Sequence, residues 1–276
     1  MHPLIITQHS SGFVPFDILA QMLGPDVYDA TKRARRLKTI NYSGDLYTDM
    51  IYFVPGAEHA PALTSRFVVD LNRKRDAVGD NGVVKLTTFE GEPLYLADFK
   101  LSDKERERRL EHYYDPFHRA LDVRLAHPEV GFFVDGHAMS FRGPAIGPDA
   151  GKLRPAFCVM NAGDKEGKAA SKHVSVDANR AGHVAELLAK HFRDVIRDSD
   201  VPDDILLNDP FPSGGTIDRL SDPAREGSKP GFGLEFNSNL YLAKADEPGV
   251  SHIPGRLRLL NERFRAFIRE ASKLFM

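Results

Sequence analysis

Short apolar runs alternate with amphipathic stretches along the chain, and this pattern predicts strands that alternate with helices. Runs rich in β-branched and aromatic residues predict buried strands, at 3–7, 62–71, 131–135, 157–160 and 233–242, with a brief run at 205–207. Apolar residues at helical spacing predict helices, at 16–23, 28–37, 103–126, 177–198 and 257–274. The alternation is typical of one three-layer α/β/α domain over residues 1–276, with a central mixed, mostly parallel sheet.

Two irregular stretches interrupt this pattern, at 76–97 and 143–156. Long stretches without secondary structure inside a compact domain are uncommon and are usually functional. We therefore expect them to be active-site loops and not domain boundaries.

Composition narrows the class of protein. Hydrophobic residues make up 42% and charged residues 28% of the chain, which excludes wholesale disorder, and the formal net charge of -2 disfavours nucleic acid and anionic membranes as partners. Cys158 is the sole cysteine, so neither an internal disulfide nor a cysteine-rich zinc site can form. The sequence shows no signal peptide and no apolar run of about 18 residues. We expect a soluble cytoplasmic protein; its oligomeric state stays open.

Two histidines stand at predicted strand ends. His9 follows the first strand in the turn 8–12, and His137 follows the strand 131–135. Each alone is weak evidence for a ligand, but the carboxyl ends of parallel strands converge, and zinc binds neutral imidazole. Asp135 is a plausible acceptor for the second nitrogen of a ligating ring, although it is equally a structural acid at a strand end.

The third zinc ligand is a carboxylate in this interpretation. A common zinc pattern places Glu three residues after the first His, but Gly12 stands there. Asp49 is the preferred ligand and Asp45 the alternative. The competing interpretation of Asp49 is a helix cap, because Thr-Asp pairs often begin helices.

Three charged residues, Arg66, Asp70 and Arg73, lie in the otherwise mostly apolar segment 65–73. Arg73 offers a planar fork that binds a carboxylate through two hydrogen bonds, and Asn72 can add a third, so together they predict a substrate clamp. Arg66 is placed to stabilise an oxyanion. For either arginine alone, a structural Arg–Asp ion pair at a sheet edge is the ordinary explanation.

Glu235 lies in an otherwise apolar late strand. Burial raises the pKa of a carboxyl group, which suits a general base that takes a proton from water. A Glu on an exposed edge strand explains the segment equally well.

Taken in order, these segments resemble the N-formylglutamate amidohydrolase family, zinc hydrolases similar in fold to zinc carboxypeptidases and aspartoacylases. The segment 65–73 matches a family motif completely and is the most specific signal. The other matching segments are Gln8-His9-Ser10-Ser11-Gly12, Thr48-Asp49, Phe117-His118-Arg119, Asp135-Gly136-His137-Ala138, Gly214-Gly215-Thr216-Ile217 and 233–241. The first has Gln where the family has Pro, and the motif around His137 has its Ser displaced to 140.

The resemblance implies a Zn²⁺ enzyme that hydrolyses N-formyl-L-glutamate, a small N-acyl amino acid, to formate and L-glutamate. It implies further substrate contacts from Gly214, Gly215 and Thr216. Two alternatives stay open: a hydrolase of another N-acyl acidic amino acid or small peptide, and a catalytically silent carboxylate-binding protein on the same scaffold.

Overall fold

One mixed sheet of six strands lies at the centre of the computed structural model, which describes residues 1–147, 149–170, 172–243 and 251–276. The strands are β1 His2–Thr7, β2 Glu58–Pro61, β3 Val130–Met139, β4 Phe157–Met160, β5 Ile205–Leu207 and β6 Gly231–Asn237. Their order across the sheet is β2-β1-β3-β6-β4-β5. Every neighbouring pair is parallel except β4 with β6, so the sheet is mixed and mostly parallel, as predicted.

Helices connect the strands. The α-helices among the described residues are α1 Phe16–Leu23, α2 Ala30–Tyr42, α3 Thr48–Ile51, α4 Asp103–Arg109, α5 Asp115–Leu125, α6 Ala178–Arg197, α7 Gly215–Leu220 and α8 Arg256–Ala271. A π-helical turn, Leu110–Tyr114, joins α4 to α5. Short 3-10 turns lie at Gly24–Tyr28, Gly79–Asn81, Ser238–Leu240 and Ser272–Phe275. In the described part of the chain, no helix has the length and apolar character needed to cross a bilayer.

Alternating side chains of β3 point into two separate cores. Phe132 and Val134 belong to a core that also contains residues of α6 and α8. Phe133 belongs to a second core with residues of α5 and α7. Because successive side chains of a strand face opposite sides of the sheet, helices cover both faces. The predicted three-layer α/β fold is confirmed.

The apolar run 62–71 does not form the predicted strand. Its backbone forms turns, and the Asp70 amide donates to the Val83 carbonyl (2.7 Å), a residue of another loop. Residues 67–69 are all fully buried, whereas Leu63 near the start of the segment is 83% exposed. An apolar run identifies buried backbone but not its conformation, which is why this prediction is wrong.

Strand ends differ from the predicted ones where they matter for function. β3 continues to Met139, so His137 lies inside the strand and not in a turn after it. β6 lies between β3 and β4, so Glu235 is on a central strand and the exposed-edge explanation is excluded. The edge strand β2 was not predicted, because Glu-His-Ala-Pro has neither apolar alternation nor β-branched residues.

Candidate active site

The parallel pairing of β1 with β3 brings the two histidines together. Ile6 pairs with Asp135, which places His137 beside the turn that follows β1. That turn is closed by Ser10, whose hydroxyl donates to the Thr7 carbonyl (2.9 Å). The Nδ1 atoms of His9 and His137 lie 3.2 Å apart, and both side chains are buried.

Asp45 completes this group. Its amide donates to the His9 carbonyl (3.2 Å), which fixes the loop after α2 against the turn. Its Oδ2 atom lies 3.1 Å from His137 Nδ1 and 3.4 Å from His9 Nδ1. The Ala138 amide also donates to this oxygen (3.3 Å).

The structure corrects the carboxylate preferred from the sequence. Asp49 lies exposed in the first turn of α3 and is not part of the cluster formed by the two histidines. Asp45, the alternative, is buried in it. The physical reason is the turn before α3, in which the Asp45 carbonyl accepts from the Thr48 hydroxyl (2.6 Å) and the helix then directs Asp49 outward.

The three donor atoms fit a divalent cation. The Nδ1 atoms of His9 and His137 and the Oδ2 atom of Asp45 are separated by 3.1 to 3.4 Å. A tetrahedral ion with ligands at about 2.0–2.1 Å requires ligand separations of roughly 3.3–3.4 Å. Two imidazoles and a carboxylate are also the donor set that catalytic zinc sites use, with a fourth position left open.

A second carboxylate lies beside each histidine. Asp70 Oδ1 lies 2.8 Å from His9 Nε2, and Asp135 Oδ1 lies 3.1 Å from His137 Nε2. Both aspartates are fully buried. The hydrogen bond with Asp70 fixes the His9 ring so that its Nδ1 remains available to a metal, whereas Asp135 lies beside His137 without a hydrogen bond. Asp135 was suspected of this role, and Asp70 belongs to the motif at 65–73 but was not singled out.

Burial and neighbouring charges shift the pKa values of Asp45 and His137 in opposite directions. Burial alone would raise the pKa of Asp45, but hydrogen bonds from His137 and His9 hold that pKa well below its usual range. Burial alone would lower the pKa of His137, but the charge of Asp135 raises it well above 6.5. The carboxylates around His137 therefore favour positive charge at this position, which a bound cation would also supply.

Arg66 lies against the same cluster. Its guanidinium donates to Asp70 Oδ2 (2.8 Å), lies 3.6 Å from Asp45 Oδ1 and stacks on the Phe89 ring at 4.7 Å. Arg73 is half-buried, and its Nε is 3.9 Å from Asp70. Both arginines line the cavity described below, where a substrate carbonyl or carboxylate can reach them.

Asn72 is held from behind by the glycine turn. Its side-chain oxygen accepts from the Thr216 amide (2.9 Å), and its Nδ2 lies 3.4 Å from His137 Nε2. A Cβ on Gly214 would lie 2.6 Å from Asn72 Nδ2, so this close approach requires glycine. Gly214 lines the cavity together with Asn72, whereas Gly215 and Thr216 do not.

Gln8 is fully buried beside the histidine cluster. In the sequence it stands out only because the family motif has Pro at this position. Its side-chain oxygen accepts from the Thr216 hydroxyl (2.8 Å), and its Nε2 lies 3.3 Å from His137 Nε2. It therefore links the glycine turn to the histidine cluster.

Glu235 faces the cluster from the neighbouring strand. It pairs in register with His137 across β3 and β6 and is only 9% exposed. Burial raises its pKa to about 7, with the negative charge of Asp45 acting in the same direction and His137 opposing it. A carboxyl group with a pKa near neutrality both accepts and returns protons efficiently.

One cavity of about 750 Å³ is lined by His9, Asp45, Arg66, Asn72, Arg73, His137 and Glu235. Residues 85–90 and 140–147 with 149–154 form its outer side, and we call them the loop wall. The wall is closed by two contacts, from the Ile146 amide to the Phe89 carbonyl (2.9 Å) and from the Ala145 amide to the Glu90 carboxylate (3.1 Å). Both irregular stretches expected to form active-site loops therefore contribute to it, residue 148 lying outside the described part.

Sequence comparison supplies a family. A family model described as N-formylglutamate amidohydrolase matches residues 2–242. An N-formylglutamate deformylase of Pseudomonas putida is 42% identical over 75 residues, which cover 25% of this chain and 28% of that protein. One from Pseudomonas aeruginosa is 37% identical over 94 residues, covering 32% of this chain and 35% of that protein. The matched stretches thus span about a third or less of these relatives.

Solved structures support the fold. The crystal structure of N-formylglutamate amidohydrolase from Ralstonia eutropha superposes with a TM-score of 0.68 at 19% identity, covering 99% of this chain and 93% of that one. A gene product of Agrobacterium tumefaciens superposes with a TM-score of 0.57 at 16% identity, covering 98% and 90%. At such identities the likeness concerns the fold alone.

Proposed function

Because the chain belongs to the N-formylglutamate amidohydrolase family, we propose that it is a zinc-dependent enzyme that hydrolyses N-formyl-L-glutamate to formate and L-glutamate. One observation carries the proposal: the buried cluster of His9, Asp45 and His137 opens on a cavity beside a carboxyl group with a raised pKa. The two relatives named N-formylglutamate deformylase support the choice of substrate.

His9, Asp45 and His137 would hold the zinc ion. Their donor atoms lie 3.1 to 3.4 Å apart, Asp70 is hydrogen-bonded to His9, and Asp135 lies 3.1 Å from His137. A bound zinc ion supplies Lewis-acid chemistry, since it lowers the pKa of water from about 15.7 toward about 7 and polarises a carbonyl group.

Glu235 is the proton carrier in this mechanism. It takes a proton from the water that attacks the formyl carbon, and the new C–O bond forms as the carbonyl π bond opens. The same carboxyl group then returns the proton to the amide nitrogen as the C–N bond breaks. Formate and the free amine leave, and the atoms of one water are divided between them. Its pKa of about 7 suits both steps.

Arg66 stabilises the negative charge that develops on the carbonyl oxygen. Its guanidinium is 12% exposed and is oriented by Asp70 and the Phe89 ring, so little reorganisation is needed. Arg73 and Asn72 bind the substrate carboxylate next to the scissile bond, because Asn72 lies within 3.4 Å of His137. Gly214, Gly215 and Thr216 keep Asn72 in position.

A second candidate function has one observation in its favour. A cavity of about 750 Å³ has room for a longer acyl group than formyl, which favours hydrolysis of other N-acyl acidic amino acids. A catalytically silent binding protein is disfavoured, because a buried carboxyl group beside a metal cluster weakens the binding of a carboxylate ligand.

The deciding experiment measures formate release from N-formyl-L-glutamate before and after a chelator, and again after zinc is added back. We expect activity that the chelator abolishes and zinc restores. The turnover rates of N-acetyl-L-glutamate and N-formyl-L-glutamate, measured side by side, distinguish a deformylase from a hydrolase of longer acyl groups. Binding of L-glutamate without turnover of either substrate would contradict both.

A further inference from the structure

Arg154 is a buried cation on the inner side of the loop wall that the mechanism above does not use. It is only 4% exposed, yet it lines the cavity. Its guanidinium lies 4.8 Å from the centre of the Phe211 ring, stacked over it. Taking a charge out of water in this way is costly unless the charge is paired or has a ligand.

The guanidinium is oriented by two side chains and keeps donors free. Its Nε and one terminal nitrogen donate to the two oxygens of Asp149 (2.7 and 2.9 Å), and the other terminal nitrogen donates to the Ser140 hydroxyl (3.0 Å). An arginine has five N–H donors, so two are left for another acceptor. A fork held this rigidly loses little entropy when it binds a carboxylate.

The backbone ties Arg154 to the strands that carry the catalytic side chains. Its carbonyl accepts from Asn237 Nδ2 (3.1 Å), two residues after Glu235 at the end of β6. Ser140, which orients the guanidinium, directly follows the last residue of β3, the strand of His137. Arg154 is therefore anchored to the exits of both strands. Its charge also acts on Glu235, whose pKa it lowers.

The two arginines of the cavity are fixed by different segments. Arg73 lies beside Asp70, in the segment that also contacts the histidine cluster. Arg154 is held by Asp149 and Ser140 of the loop wall. A ligand with two carboxylates can bind to both arginines, whereas a ligand with one carboxylate can use the free N–H donors of only one of them.

We propose that Arg154 is a specificity-determining residue that binds the side-chain carboxylate of the substrate, while Asn72 and Arg73 bind the carboxylate next to the scissile amide. The inference rests on the proposed function, which supplies the substrate class. According to this inference, the loop wall selects acidic amino acids over neutral ones of the same shape.

The test compares two ligands that differ only in that charge. Isothermal titration calorimetry of the zinc-loaded protein measures the binding of L-glutamate and of L-glutamine, and kcat/KM is measured for their N-formyl derivatives. Loss of a hydrogen-bonded charge pair typically changes affinity by about 10- to 100-fold. We expect the wild type to prefer the acidic ligand by about this factor in both measurements. R154Q should lose the preference in both, while its affinity for L-glutamine in the calorimeter stays within about threefold of the wild-type value.

Three further variants make the result specific. R142Q is the matched control, because Arg142 is an exposed arginine of the same loop that also lines the cavity; it should keep the preference. R154K retains the charge without the fork and should retain part of the preference. If R154Q is unstable because Asp149 is left unpaired, the double variant D149N/R154Q removes both charges and should fold while still lacking the preference.

Each outcome decides separately on the inference and on the proposed function. Equal losses for the acidic and neutral ligands in R154Q, or a wild type without preference, would overturn the inference while deformylation of either substrate upheld the function. Preference for L-glutamate that depends on Arg154, in a protein that releases no formate, would uphold the inference on binding and overturn the function. A third substrate, the α-amide of N-formyl-L-glutamate, lacks the other carboxylate. If R154Q no longer distinguishes N-formyl-L-glutamate from this α-amide but still distinguishes it from the glutamine derivative, Arg154 binds the carboxylate next to the scissile amide and the proposal is contradicted.

Discussion

The two sides of the cavity are built differently. On the sheet side, His137 and Glu235 lie on paired strands, and His9 lies in the turn directly after β1, so the hydrogen-bond ladder of the sheet fixes their positions. On the loop wall, turns, isolated bridges and contacts between loops, such as that from the Ile146 amide to the Phe89 carbonyl, hold the backbone. Under the proposed function, we expect bond cleavage to depend on the sheet side, where paired strands fix the side chains, and substrate choice on the wall, where segments can change without unfolding the sheet.

Removing the sheet-side ligands should have the largest effect. In a His9→Ala, His137→Ala double variant, one carboxylate is left to hold the metal, so we expect loss of bound zinc and a fall in kcat/KM of about 10⁴-fold or more. Elemental analysis and formate release measure the two effects. His112→Ala, which alters an exposed histidine, is the control and should change neither. A double variant that keeps its zinc would remove the basis for the proposed metal site.

Glu235→Gln tests the sheet side without touching the metal ligands. Loss of the proton carrier should lower kcat by about 10²- to 10⁴-fold while the protein keeps its zinc. The variant preserves the shape of the side chain, so folding should be unaffected. A variant with normal turnover would show that another group carries the proton.

The pH dependence has a defined sign. Burial raises the pKa of Glu235 to about 7, and the protonated form cannot accept a proton, so wild-type kcat/KM should rise with pH. A cation bound by the neighbouring cluster lowers this pKa, so the midpoint should lie at or below about 7. Glu235→Gln should lose this rise, as pH–rate profiles of the two proteins will show. A profile that falls over the same interval would contradict the assignment of Glu235 as a base.

Arg66 lies between the two sides, since it contacts Asp70 and stacks on Phe89 of the loop wall. Removal of one oxyanion donor typically lowers turnover by about 10²- to 10³-fold, and we expect this for Arg66→Ala. Steady-state kinetics and zinc content should be measured together. Full activity would exclude the role, and loss of zinc would show that Arg66 acts through Asp70 and not on the substrate.

Asp45 and Asp49 form a matched pair, because the substitution to Asn is the same and only the position differs. Loss of a residue that hydrogen-bonds to a metal ligand costs up to about 100-fold in metal affinity. Asp45 is itself a proposed ligand, so Asp45→Asn should weaken zinc binding by at least about this factor. Asp49→Asn should leave it unchanged, because that side chain is exposed on α3. Competition with a chelator of known affinity measures both. A larger effect at position 49 would restore the ligand preferred from the sequence.

The same contrast explains what the sequence could predict. His9, His137 and Glu235 were accessible because apolar runs identify strands, and parallel strands bring their carboxyl ends together. Asp45 was accessible only as an alternative, since its position depends on how a turn packs against the His9 carbonyl. Arg154 gave no signal at all, because its partners Asp149, Ser140 and Phe211 are brought to it by tertiary packing.

In the segment 62–71, the sequence predicted the position of the side chains better than the conformation of the backbone. Its motif predicted residues of the candidate site, and Arg66 and Asp70 do lie against the histidine cluster. The predicted conformation was nevertheless wrong, since a buried loop and a buried strand require the same apolar composition. Here side-chain chemistry was more informative than hydrophobic periodicity.

The smallest expected effect lies behind the site, at Gly214. A methyl group there would lie 2.6 Å from Asn72 Nδ2, so Gly214→Ala should displace that amide and disturb its bond from the Thr216 amide. Loss of one such hydrogen bond corresponds to about a two- to tenfold rise in KM, with kcat little changed. Gly182→Ala is the control, because a Cβ at that position in α6 meets no atom within 4 Å, and it should leave KM unchanged. If Gly214→Ala lowers kcat and leaves KM unchanged, Asn72 contributes to the chemical step and belongs with the sheet side of the cavity.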